Sequence, residues 1–157
     1  MAGISLFRRS RRARNQRGAV AVEFALIMPM MCLLVFGIIE FGFMLNRDMI
    51  VGNASRDGAR AASLGDTYAD TRASIVAELA ASGIPTTVAD GTTITIDCKK
   101  PDGTACNATA TTYDAAAVSG STAMINVEYD HTLITPFIST LLGDVVTLEQ
   151  STQMRVE

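Results

Sequence analysis

Residues 19–45 form an apolar run interrupted only by Glu23, Pro29 and Glu40, and six arginines stand directly before it (Arg8, Arg9, Arg11, Arg12, Arg14, Arg17) with no acidic residue among residues 1–17. About 20 consecutive apolar residues suffice to cross a bilayer as a helix, so this run is long enough to do so. A basic flank holds its side of a membrane helix in the cytoplasm. The expectation is a single-pass membrane protein with a cytoplasmic N-terminus and everything beyond residue 46 outside.

The run is neither an ordinary secretory signal nor an ordinary anchor. In a secretory signal the small-residue cleavage site follows the apolar region, whereas here the small pair Gly18 and Ala19 precedes it. A cut at that pair leaves the apolar helix on the mature chain. Glu23 is the second anomaly, because a carboxylate at the centre of a membrane helix costs about 2.5 to 3.5 kcal/mol and usually has a partner. After cleavage between Gly18 and Ala19, Glu23 is the fifth residue, close to a new amine on Ala19 or on a neighbouring subunit.

This order of basic leader, Gly18, Ala19, Glu23 and the aromatic Phe24 resembles the processing site of type IV pilins and pseudopilins. The resemblance implies an inner-membrane prepilin peptidase cutting between Gly18 and Ala19, Glu23 as the carboxylate that guides assembly, and Phe24 as the aromatic beside it. The chain is then a substrate, with no catalytic residues of its own. The block RGAVAVEFALIMPMMCLLVFGIIEFGFMLNRDMIVGNASRDGARAA, residues 17–62, is similar to the TadE-like family of the tight-adherence (Tad, or Flp) pilus system, and TLEQSTQMRVE, residues 147–157, resembles the closing strand of such proteins. The implied role is a minor pilin or pseudopilin in pilus biogenesis, adherence and biofilm formation. Its implied partners are the inner membrane, prepilin peptidase, Tad assembly platform proteins and other pilins. The competing reading is a single-pass anchored extracytoplasmic binding module that is never polymerised.

Charge supports export and argues against nucleic acid. Removing residues 1–18 deletes six of the 13 basic side chains and none of the 16 acidic ones. The remainder lacks the clustered Lys and Arg that neutralise phosphates. Three segments follow: a basic leader at 1–18, a long helix at 19–62 with its membrane part at about 19–45, and an exported α+β domain at 63–157.

Past the apolar run the helix continues through an Ala-rich, polar segment to residue 62, with Met49, Ile50, Ala54 and Ala61 at helical spacing on one face. That outer half is either a stalk or a surface for other pilin helices, with Gly52 and Gly58 each weakening it by about 1 kcal/mol relative to Ala. A second, amphipathic helix starts after a cap at Asp66 or Thr67, buries Tyr68, Ile75, Val76 and Leu79, and stops near Gly83. Residues 86–88, 92–98, 123–131 and 145–156 have strand character. The Asp90-Gly91 and Pro101-Asp102-Gly103 steps mark turns. A short helix at 137–142 follows Thr135 and Pro136. The expected class is α+β, with an antiparallel sheet packed on the outer half of the first helix or on the second.

Cys98 and Cys106 bracket a short turn in a compartment where disulfides persist, and a bridge there clamps a hairpin tip. A metal site is the rival, but neither cofactor nor metal is expected, since the spacing is not that of a zinc motif and His131 is the sole histidine. Cys32 reads as a small apolar residue. His131 near Glu128 and Asp130 suggests acid/base chemistry, yet no nucleophile motif accompanies it. Glu40 reads as a headgroup-level acid. The Thr/Ala/Ser-rich residues 104–121 read as a mobile loop.

Overall fold

The computed structural model describes residues 10–157; Arg8, Arg9 and the rest of residues 1–9 of the expected leader lie outside the described residues. The element order is α1 (Ser10–Ser63), α2 (Tyr68–Ala81), a 3-10 turn (Val88–Asp90), β1 (Thr92–Lys99), α3 (Tyr113–Ala116), β2 (Thr122–Thr132), α4 (Pro136–Leu142) and β3 (Val145–Arg155). The class is therefore α+β. The chain divides into two compact units, residues up to Ile39 and Glu40–Glu157.

The first unit is helical throughout its described residues. Helix α1 begins at Ser10, ahead of Ala19, and Pro29 lies inside it without ending it. From residue 18 to residue 39 nearly every side chain is exposed, Val20, Phe24, Leu26, Met30 and Ile38 among them. An exposed apolar surface of this extent calls for lipid or protein around it. This helix is long and apolar enough to cross a membrane.

The second unit is built on residues 40–63. Its buried stripe is Val51, Ala54, Ser55, Gly58, Ala59 and Ala62, steps of three and four that keep one face inward. This differs from the expected face: Met49 is 60% exposed and Ala61 only half-buried. The outward face carries the polar Asn53, Arg56, Asp57 and Arg60, so the inward stripe is the one between them, and most of its residues are small. Gly58 shows it most sharply, because a Cβ there would stand 2.4 Å from Ile75 Cγ1 and 3.5 Å from Ile125 Cγ2. The inner face of the outer half of α1 is thus the spine of the domain core rather than part of a bare stalk, while Met49, Asn53, Arg56, Asp57 and Arg60 stay exposed on the other face.

Helix α2 is capped by Thr67, whose hydroxyl oxygen accepts from the Asp70 N–H at 3.2 Å, satisfying one of the orphan donors of the first turn. Thr71, Ile75 and Leu79 face the core. Gly83, at φ +70°, lets the chain turn so that Ile84 N–H reaches back to the Leu79 carbonyl at 2.9 Å. The strand expected at residues 86–88 does not form. Thr87 instead hydrogen-bonds the Asp90 carboxylate and Gly91, at φ +83°, closes a 3-10 turn.

The sheet is a three-stranded antiparallel meander in the order β1-β2-β3. Its register aligns Ile96 with Ile125 and Ile125 with Thr152, so alternate residues share the inner face. Ile96, Cys98, Ala123, Ile125, Val127 and Leu148 are buried there. Polar contacts also tie the helix to this sheet: the Ser55 hydroxyl lies 2.9 Å from Thr152 Oγ1 and 3.3 Å from the Ile125 carbonyl, to either of which it donates, and Gln150 Nε2 donates to Asp48 Oδ1 at 2.9 Å. Residues 104–121 are not a free loop. They contain α3, whose Tyr113 is 1% exposed and packs edge-on against Tyr68 with ring centroids 6.0 Å apart.

Candidate functional site

Gly18, Ala19, Glu23 and Phe24 lie along α1, all four exposed. A Cβ built on Gly18 meets no atom within 4 Å, and Phe24 is 64% exposed. Among the described residues the one approach of a basic to an acidic side chain within 4 Å is elsewhere, between His131 and Glu40. The structure therefore presents the expected processing and assembly residues on an open helix surface, where a second chain has access to them.

Cys98 and Cys106 are brought together and bonded, with Cα atoms 5.2 Å apart. The bridge sits at the end of β1, where Cys106 N–H also donates to the Cys98 carbonyl at 2.8 Å. Within the loop, Asp102 Oδ1 accepts from the Thr104 hydroxyl at 2.6 Å and the Thr104 N–H at 2.9 Å. Those two bonds hold the Asp102 carboxyl below the ordinary aspartate range, and Gly103 at φ +87° completes the turn. Cys32 is half-buried and unbonded to another cysteine.

The expected grouping of His131 with Glu128 and Asp130 is not assembled. Strand alternation puts Glu128 and Asp130 on one face of β2 and His131 on the other, where it is 5% exposed. Asp130 accepts from the Thr147 hydroxyl at 2.7 Å. His131 turns instead toward Glu40, its Nε2 3.6 Å from Glu40 Oε1.

Glu40 is the residue whose role the sequence conceals. It is 5% exposed, and its carboxylate accepts the Ile134 N–H at 3.0 Å and the Thr135 N–H at 2.9 Å, together with the Thr135 hydroxyl. Thr135 is the N-cap residue of α4 and makes no side-chain cap bond of its own to that helix. Glu40, supplied from 95 positions earlier in the chain, instead binds the N–H groups of the cap residue itself and of Ile134 before it. A carboxylate at a helix N-terminus is stabilised by the helix dipole and by donors that would otherwise be orphaned.

With the geometry in place, comparison with known proteins is informative. Residues 18–60 match the family model described as TadE-like protein. The chain carries a TadE-like segment. That segment starts at Gly18 and contains Glu23, Glu40 and Gly58, while the groups that Glu40 binds, at residues 131–135, lie beyond it. No curated protein and no solved structure matches the chain. The TadE-like match points to association with a membrane within a tight-adherence pilus system.

Proposed function

We propose that the chain is a minor pilin or pseudopilin, a structural subunit of a tight-adherence pilus or its assembly apparatus. One observation carries this reading: the TadE-like segment begins at Gly18, with an exposed apolar helix after it and a single carboxylate, Glu23, at the fifth position beyond the glycine. In this proposal the basic leader orients the chain in the inner membrane and a prepilin peptidase cuts between Gly18 and Ala19. An assembly platform driven by a separate ATPase then draws the helix into a filament. Glu23 pairs with the amine of Ala19 on an adjacent subunit, which offsets the cost of placing a carboxylate in an apolar environment. The domain formed by Glu40–Glu157 stays on the outer side.

The test is the mature N-terminus. Mass spectrometry of protein from cells with active prepilin peptidase is expected to find Ala19 first, and a chain retaining residues 1–18 overturns the pilin reading in favour of an anchored, unpolymerised module. Glu23→Gln is expected to leave cleavage intact and to lower incorporation into pili. Normal piliation in that variant removes the assembly role of Glu23.

A further inference from the structure

We propose that residues 134–145, which include α4, form an interfacial membrane-binding element that lies on the domain-side leaflet of the bilayer. The inference rests on the membrane insertion proposed above, but on neither leader cleavage nor polymerisation.

Depth is the first argument. Residues 19–39 as helix extend about 31 Å at 1.5 Å per residue, close to the roughly 30 Å of a bilayer's hydrocarbon core. Glu40 then falls at the boundary of that core. The first charged residues beyond it are Arg47, whose guanidinium donates to the Ser82 carbonyl at 3.0 Å, and Asp48, which accepts from Gln150. Between Glu40 and Arg47 lies about 10 Å of helix, enough to cross an interfacial layer of about 5 to 7.5 Å. Because Glu40 holds the Ile134 and Thr135 N–H groups, the start of α4 is fixed within that layer.

Chemistry is the second argument. Residues 133–143 contain no charged side chain, and the one charge within 134–145 is the exposed Asp144, just before β3. Ile134 is 65% exposed and Val145 49%, and the same layer of α1 exposes Phe41, Phe43 and Leu45 at 55, 49 and 46%. The two hydroxyls of α4 are satisfied inside the element, since Ser139 and Thr140 both donate to the Pro136 carbonyl, at 3.1 and 2.8 Å. Internal satisfaction of this kind suits a layer poor in water. Glu40 itself is buried among donors, so its charge does not face lipid. An uncharged helix with exposed aliphatic neighbours, held at the end of a membrane-crossing run, fits the acyl and headgroup boundary, where such elements sink about 5–10 Å.

The chain has no tryptophan, so single reporters are clean. The full chain is reconstituted in phosphatidylethanolamine and phosphatidylglycerol vesicles as Ile134→Trp and, separately, as Val118→Trp. Val118 is 52% exposed and precedes β2 at the end opposite Thr132. The expected result is blue-shifted Ile134→Trp emission, quenched several-fold more by lipid brominated near the headgroup than by aqueous acrylamide, with the reverse for Val118→Trp. Acrylamide quenching of both reporters in vesicles that carry the chain on flotation overturns the proposal while leaving insertion intact. Blue-shifted emission that brominated lipid does not quench assigns the face to a protein neighbour and overturns it too. Failure to float removes membrane insertion, and the proposal with it.

Discussion

Gly58 and Ile75 meet at a distance that leaves no room for a methyl group: a Cβ on the glycine would stand 2.4 and 2.6 Å from two carbons of the isoleucine. Gly58→Ala is therefore expected to destabilise the domain by about 1 to 3 kcal/mol through overpacking, despite the gain in helix propensity of about 1 kcal/mol. Gly52→Ala makes the comparison, because its nearest neighbours would lie at an ordinary 3.7 Å. Thermal unfolding of the full chain in detergent, followed by circular dichroism, is expected to shift in opposite directions for the two variants. Ile75→Ala, which removes both carbons that the new methyl group would meet, should make Gly58→Ala cost less than it does beside the native isoleucine. Equal shifts for both glycine variants would contradict the contact.

That contact marks where sequence reading reaches its limit. Helix α2, the three strands and the turns at Gly91 and Gly103 follow local rules of period, capping and positive φ, and they were legible from neighbouring residues alone. The Cys98 and Cys106 pairing was legible for the same reason, since eight positions separate the two. Gly58 read only as a cost to its helix, because what occupies the space beside it comes from another element. Glu40 reads from sequence as a headgroup-level acid with no partner, because its donors lie 94 and 95 positions away. Composition also misled at residues 104–121, where a low-complexity stretch is pinned by one buried tyrosine.

The Glu40 carboxylate accepts from three donors of Ile134 and Thr135, whereas His131 approaches it at 3.6 Å without a hydrogen bond. Glu40→Ala is expected to cost about 2 to 5 kcal/mol, since each buried donor left unpaired costs about 1 to 3. Glu40→Gln retains an acceptor and should lose less. His131→Ala should cost less than Glu40→Ala. Limited proteolysis between β2 and β3 offers a local readout, with cleavage at residues 133–144 rising in the order wild type, Glu40→Gln, Glu40→Ala. Unchanged cleavage in Glu40→Ala would remove the tether.

Tyr113 is buried with a hydroxyl that has no partner among the described residues. Tyr113→Phe is expected to be neutral or stabilising by up to about 1 kcal/mol, because it removes an unsatisfied polar group and keeps the ring against Tyr68. Burial first, then the charges of Asp114 and Asp97, raise the phenol above its ordinary value. A group raised on folding contributes stability below its unfolded pKa, about 10 for tyrosine, and that contribution fades as pH climbs from there through the folded value. Denaturant midpoints measured from pH 8 to 11 should fall for wild type above about pH 10 and fall less for Tyr113→Phe.

Thiol counting checks the cysteines. Unfolded in the absence of reductant, the full chain should label at Cys32 alone, and at all three cysteines after reduction. Loss of the bridge in Cys98→Ser with Cys106→Ser is expected to cost about 2 to 3 kcal/mol on the chain-entropy account of so short a loop.

The two seams that join the helix to the sheet run between residues far apart in the order of synthesis: Ser55 with Thr152 is a separation of 97 and Asp48 with Gln150 one of 102. Helix α1 is made first and its buried stripe is completed last. Until β3 has been made and delivered, Gly52, Ser55 and their neighbours have no sheet edge to close on. Non-local pairings of this length delay folding and leave apolar surface open in the meantime. Assembly of the domain therefore waits on delivery of nearly the whole chain, and a ribosome that stalls before β3 leaves the helix without the strand that seals it.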